Sequence, residues 1–140
     1  HEFPQATLVV SRAELESGPP RYFGEIRPER WPDASRCLPV EGDVELVPGL
    51  TLLATPGHSP GHLSLLVRLR ESGVLLLAGD AISREVELET GVNGGAWNQQ
   101  VARASVDRLL RITREEEALL VYGHDPKQWQ TLPRVPHLYR

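Results

Sequence analysis

Thr55-Pro56-Gly57-His58-Ser59-Pro60-Gly61-His62 decides how this chain is read. Two Pro-Gly steps and two histidines within eight residues make a loop of set shape, neither helix nor strand. The loop separates two apolar runs. Leu50 to Ala54 precedes it after a Pro48-Gly49 turn, and before that Val44 and Leu46 alternate with polar neighbours. After it, Leu63, Leu65, Val67 and Leu69 alternate with Ser64, Leu66, Arg68 and Arg70, the period of a half-buried strand whose odd residues face inward. Glu71-Ser72-Gly73 then turns the chain into Val74 to Ala78, an apolar run expected to be buried on both faces.

Further out, the elements alternate. Ala6 to Val10 reads as a short strand, and Ser11 with Glu14 three residues later forms a capping-box pattern for a helix. Residues 17–35 are punctuated by Gly18, Pro19, Pro20, Gly24, Pro28 and Pro32. This segment reads as an excursion or lid, its Tyr22, Phe23 and Trp31 either packing as a minor cluster, the favoured reading, or lining a substrate cleft. Ala102, Val106, Leu109, Leu110 and Thr113 recur at helical spacing, with Asn98 as the cap and Arg103 facing Asp107 one turn on. Glu115-Glu116-Glu117 reads as a solvated helix end, followed by the buried run Ala118 to Tyr122. Strands interleaved with helices predict an α/β chain with at least one mixed sheet and flanking helices.

Composition narrows the classes. At 140 residues with 40% hydrophobic side chains, one globular domain with a real core is expected. A net charge of -4, with scattered arginines and Lys127 as the sole lysine, argues against a nucleic-acid partner. No stretch reaches the roughly 18 apolar residues of a membrane helix. The lone Cys37 cannot close an intrachain disulfide, which points to a reducing compartment; it reads as a buried thiol and not a ligand.

Three segments share one design. His58 follows Leu50–Ala54, Asp80 follows Leu75–Ala78 through Gly79, and His124 follows Leu119–Tyr122 through Gly123. Each places a metal-ligand type just past an apolar strand, beside a glycine that permits a sharp turn. Two imidazoles and a carboxylate suit zinc or a similar divalent ion. His58 and His62 need not reach the same ion: one can coordinate while the other fixes the loop by hydrogen bonds.

The octapeptide, then Leu77-Ala78-Gly79-Asp80, then Tyr122-Gly123-His124-Asp125, in that order and spacing, resembles the C-terminal half of a metallo-β-lactamase-fold hydrolase. Within that superfamily the chain is most similar to the N-acyl homoserine lactonases, from Phe3-Pro4 through Val40-Glu41-Gly42-Asp43 to the helix before His124. The resemblance implies the C-terminal part of an αββα sandwich, with residues 1–140 as a partial domain. It implies that His58 belongs to one metal site, that Asp80 bridges two ions, that His124 completes the second site, and that His62 is a loop residue behind the ligands. It also implies two divalent ions, usually zinc, a hydroxide held between them, a small lactone or ester substrate, quorum quenching and a cytoplasmic home.

Two departures qualify this. The family's His-x-His-x-Asp-His motif, which carries the remaining ligands and the catalytic aspartate, is missing: the five histidines are His1, His58, His62, His124 and His137, and no two stand two apart. With no methionine and an opening His1-Glu2-Phe3-Pro4, the expectation is a chain that starts just downstream of that motif, with His1 an ordinary residue and His137 part of a packing segment. Apolar surface left open along Leu63–Leu69 or Leu75–Leu77 would then favour a homodimer or aggregation. The second departure is Ser83, which stands where some lactonases carry a tyrosine that touches the substrate carbonyl. Rival readings are a glyoxalase II-like thioesterase, an esterase or phosphodiesterase of the same chemistry, a non-catalytic remnant, and a small metal module completed by His1 or His137.

Overall fold

The computed structural model describes residues 6–17, 34–133 and 139–140. The Pro/Gly segment with its aromatics, His1, the Phe3-Pro4 opening and His137 lie outside the described residues. Two sheets form. The smaller pairs β1 (Leu8–Ser11) in parallel with β2 (Cys37–Val40), with helix α1 (Arg12–Ser17) following β1 directly. The strand expected at Ala6–Val10 thus sits one to two residues later, and Ser11 closes the strand itself. Glu14, read as the capping partner of Ser11, instead accepts the Gly61 N–H at 2.8 Å.

The larger sheet has the order β3 (Val44–Val47), β4 (Leu50–Ala54), β5 (Leu63–Leu69), β6 (Gly73–Leu77) and β7 (Leu119–Val121). The first four are antiparallel neighbours, while β6 and β7 run in parallel. A parallel pair needs a crossover. Here it carries α2 (Val86–Thr90) and α3 (Gln99–Glu115), and α4 (Pro126–Thr131) follows β7. The sheet is therefore mixed, with helices beside it, as the alternation of elements predicts.

Helix α3 builds the core. Asn98 caps it by accepting the Val101 N–H at 3.1 Å, and Ala102, Ser105 and Leu109 form its buried stripe. Leu109 and Ile82 are fully buried against Leu53, Leu66 and Leu76 of three adjacent strands. Each such side chain contributes about 1.5–3 kcal/mol relative to exposure.

The face of β5 that meets this core is the reverse of the expected one. Ser64 is 1% exposed and Leu66 is buried, whereas Leu63, Leu65, Val67 and Leu69 are all half-buried. Pairing explains the inversion: Ser64 lies opposite Leu53, and Leu66 opposite Leu76, both of which point at α3. A strand apolar on both faces hides its orientation from a period-two reading. Within β6, Leu75 and Leu76 are buried on opposite faces, as expected, and Leu77 is half-buried. The acidic triplet is not merely solvated either. Glu116 receives Arg68 in a two-point fork, at 2.7 and 3.2 Å, which ties the end of α3 to β5.

Candidate metal centre

Strand directions bring the three segments together. Since β4 and β6 are both antiparallel to β5, they run the same way, and β7 runs parallel to β6. The C-terminal ends of β4, β6 and β7 thus share one edge of the sheet. The octapeptide, Gly79-Asp80 and Gly123-His124 all leave the sheet there. Strand ends of layered α/β folds are where functional groups gather.

The octapeptide is held on every side. Thr55 N–H donates to the His62 carbonyl at 3.0 Å, closing the loop at its neck. Ser105 of α3 donates to the Pro56 carbonyl at 2.6 Å, Asn98 N–H to that of Gly57 at 3.1 Å, and Trp97 N–H to that of His58 at 3.0 Å. Glycine is required at 57: its φ is +137°, and a Cβ there would stand 2.3 Å from the Ala102 Cα. Below the loop, Arg108 donates to the Ala54 carbonyl at 2.7 Å and pairs with Asp43, whose other oxygen accepts the Ala54 N–H at 3.0 Å.

The other two segments lock to each other. Gly123 N–H donates to the Ile82 carbonyl at 3.1 Å, and His124 N–H to that of Ser83 at 2.8 Å. A side chain at 123 would meet the Gly79 carbonyl oxygen at 2.4 Å, so glycine alone lets the two backbones approach. Asp125 caps α4 through the Lys127 and Gln128 N–H groups and accepts that of Glu85. The Gln128 bond, then the Glu85 bond, hold its carboxyl below the usual carboxylate range.

At the centre stands the Asp80 carboxylate with one imidazole on each oxygen. His124 Nε2 is 2.8 Å from Oδ1, and His58 Nε2 is 3.4 Å from Oδ2. Side-chain exposures of 66% for His124, 35% for Asp80 and 26% for His58 leave the group open to a small molecule from the His124 side. His62 lies behind, its ring 5.9 Å from that of His58 and nearly perpendicular to it. Its Nε2 accepts the Asp80 N–H at 3.1 Å, and its Nδ1 is 2.9 Å from the Thr55 hydroxyl. Burial, and secondarily the neighbouring His58, pull the His62 pKa below the ordinary histidine value. Ser83 sits at the rim, half-buried, its main chain bonded to His124 and to Glu87. Cys37 lies in β2 of the other sheet.

Thus His58, Asp80 and His124 are brought together, with His62 one layer back. Nitrogen and carboxylate donors fit zinc, and a carboxylate with one imidazole per oxygen fits a group shared between two ions. Each ion would find one imidazole and the shared carboxylate, fewer than the three protein donors a catalytic zinc keeps. Among the described residues no three such side chains gather on a single point.

Several residues escape sequence reasoning. Asn93 is buried, and its carboxamide donates to the Asp80 carbonyl at 2.9 Å and to that of Ala81 at 3.3 Å. Nothing in Gly91-Val92-Asn93-Gly94-Gly95 announces this. Glu14 and Ser105 reach the octapeptide over separations of 47 and 49 residues.

Comparison with known proteins completes the picture. The family model described as the metallo-beta-lactamase superfamily matches residues 4–124. An N-acyl homoserine lactonase of Bacillus cereus is 36% identical over 126 residues, covering 90% of this chain and 50% of the relative. One from Bacillus thuringiensis subsp. kurstaki is 40% identical over 128 residues, with the same coverage. A solved structure of an N-acyl homoserine lactone hydrolase, with the product N-hexanoyl-L-homoserine bound at its catalytic metal centre, superposes with a TM-score of 0.82 at 34% identity. That superposition covers 92% of this chain and 51% of the other. The chain spans about half the length of the curated relatives it matches. By the extent of the family match, with the strand-end residues in place, the chain belongs to the metallo-beta-lactamase superfamily.

Proposed function

We propose that these residues form the C-terminal part of a metal-dependent hydrolase that opens the lactone ring of N-acyl homoserine lactones, a quorum-quenching activity, in the cytoplasm. The observation that carries this reading is the Asp80 carboxylate with His58 on one oxygen and His124 on the other, at 3.4 and 2.8 Å. Similarity to lactonases over 90% of the chain supports the substrate class. His58 and Asp80 would hold one zinc ion, and Asp80 and His124 the other. The remaining donors and the catalytic aspartate would come from a His-x-His-x-Asp-His segment outside these residues. Two such ions, when bound, would supply Lewis-acid chemistry there, activating water at neutral pH and polarising a carbonyl.

The chain's own residues hold and orient. The octapeptide loop is tied to α3 and the residues before it at the Pro56, Gly57 and His58 carbonyls, which holds the backbone that carries His58. The bond from His124 N–H to the Ser83 carbonyl sets the distance between the open side of the site and Ser83. Ser83 stands where some lactonases place a tyrosine, half-buried and bonded through its main chain to His124 and Glu87. Thioester cleavage by the same donor set is the rival reading.

The test is an assay of the protein that carries this sequence on acyl homoserine lactones, acyl thioesters and aryl esters. The expected result is preference for the lactone, abolished by chelation and restored by zinc. In Asp80→Asn, activity is expected to fall by about a hundredfold to a thousandfold, the range reached when a group acting in the transition state is removed. Preference for thioesters, or activity indifferent to chelation, would contradict the proposal.

A further inference from the structure

Behind the three candidate ligands lies a buried chain of side chains that ends on the Asp80 main chain. Asp80 N–H, which can only donate, points at His62 Nε2 at 3.1 Å. That nitrogen must therefore be unprotonated, which leaves the ring proton of a neutral His62 on Nδ1. Nδ1–H then donates to the Thr55 hydroxyl oxygen at 2.9 Å. From the other end, the Ala78 carbonyl can only accept, and Ser64 Oγ donates to it at 2.9 Å. With its one hydrogen so used, Ser64 must accept from Thr55 across their 2.8 Å contact. The two ends, read independently, give every bond the same direction. Thr55 and Ser64 are both buried, so water cannot replace either partner.

We propose that Ser64, Thr55 and His62 form a one-way hydrogen-bond relay that locks His62 in its Nδ1-protonated tautomer and thereby holds the Asp80 peptide in place. Both ends of the relay attach to the same turn, at Ala78 and at Asp80. Asn93 grips that turn from the opposite side through the Asp80 carbonyl. Thr55, Ser64 and His62 are therefore positioning residues. His62 cannot offer Nε2 to an ion while it accepts from Asp80, which leaves His58 as the octapeptide imidazole that faces the carboxylate. As a device for catalysis the relay rests on the reading of Asp80 as a shared ligand; as a hydrogen-bond arrangement it stands without it.

The test uses the histidine-labelled, metal-free chain and long-range proton–nitrogen correlation spectra of its imidazoles, with amide hydrogen exchange at Asp80. Wild type is expected to show His62 with a protonated Nδ1 and a bare Nε2; an Nε2-protonated ring, or two tautomers in exchange, would overturn the relay. In Thr55→Val the tautomer is expected to be lost and the Asp80 amide to exchange about tenfold faster. Thr55→Ser restores both. Unchanged spectra and exchange in Thr55→Val would also overturn it. If Thr55→Val fails to fold, Ser64→Ala, which removes the acceptor of the Thr55 hydrogen, is expected to move both readouts the same way, and no movement there counts against the relay. Because no metal or substrate enters these measurements, failure of the lactonase reading leaves their outcome untouched.

Discussion

At the scale of single residues, glycine geometry and one histidine carry most of the consequences. Gly57→Ala would press a methyl group into the Ala102 backbone at a left-handed φ. Overpacking of this kind costs about 1–3 kcal/mol, and the loss is expected in the urea midpoint with the slope unchanged. The sign of the His62 effect follows from its lowered pKa, caused first by burial and then by His58, against weaker opposite pulls from Asp80, the Thr55 main chain and Glu14. Below about pH 6.5 the unfolded chain binds a proton that folded His62 resists. The stabilisation from neutral His62 is therefore complete above that pH and is lost as pH falls through the folded value. Urea midpoints of wild type should decline from about pH 7.5 to about pH 5, and the decline should be shallower in His62→Gln. An equally steep variant would remove His62 as the cause. Residue types and strand-end placement made His58, Asp80 and His124 legible in the sequence. The direction of each side chain was not, because a Gly-rich turn leaves the course of the backbone to tertiary contacts such as Trp97 N–H on the His58 carbonyl.

At the scale of elements, α3 joins core to site. Its Leu109 is fully buried, while Ser105, one turn earlier, holds the Pro56 carbonyl. Leu109→Ala is expected to cost about 2–5 kcal/mol by cavity formation. A calorimetric melt checks this: a transition within a degree or two of wild type would show that α3 does not carry the core. This helix was the most readable element, since Asn98 and the spacing from Ala102 to Thr113 each state it separately. Strand β5 was the least readable in orientation. Leucines occupy both of its faces, so only the pairing of Ser64 with Leu53 and Leu66 with Leu76 reveals which one meets the helix. Glu14 shows a further limit: its spacing from Ser11 suits a local cap, yet a partner remote in sequence, the Gly61 amide, takes its carboxylate.

At the scale of the whole molecule, one sheet edge collects three loops because β4, β6 and β7 point the same way. That edge is the physical reason for the resemblance read from the octapeptide. The mixed sheet, its flanking helices and the superfamily were legible because motif order mirrors strand order. The clamp by Asn93 and the relay behind His62 were not, since both depend on contacts between loops. None of the described helices is long and apolar enough to cross a membrane. On the proposed reading the donors are divided, one imidazole on each oxygen of Asp80, so that neither ion would find a full set among the described residues. Calorimetric titration of zinc into the 140-residue chain tests it most directly. Binding no tighter than about 1 μM, an affinity near 8 kcal/mol, is the predicted result; two zinc ions taken up tightly and stoichiometrically would contradict it.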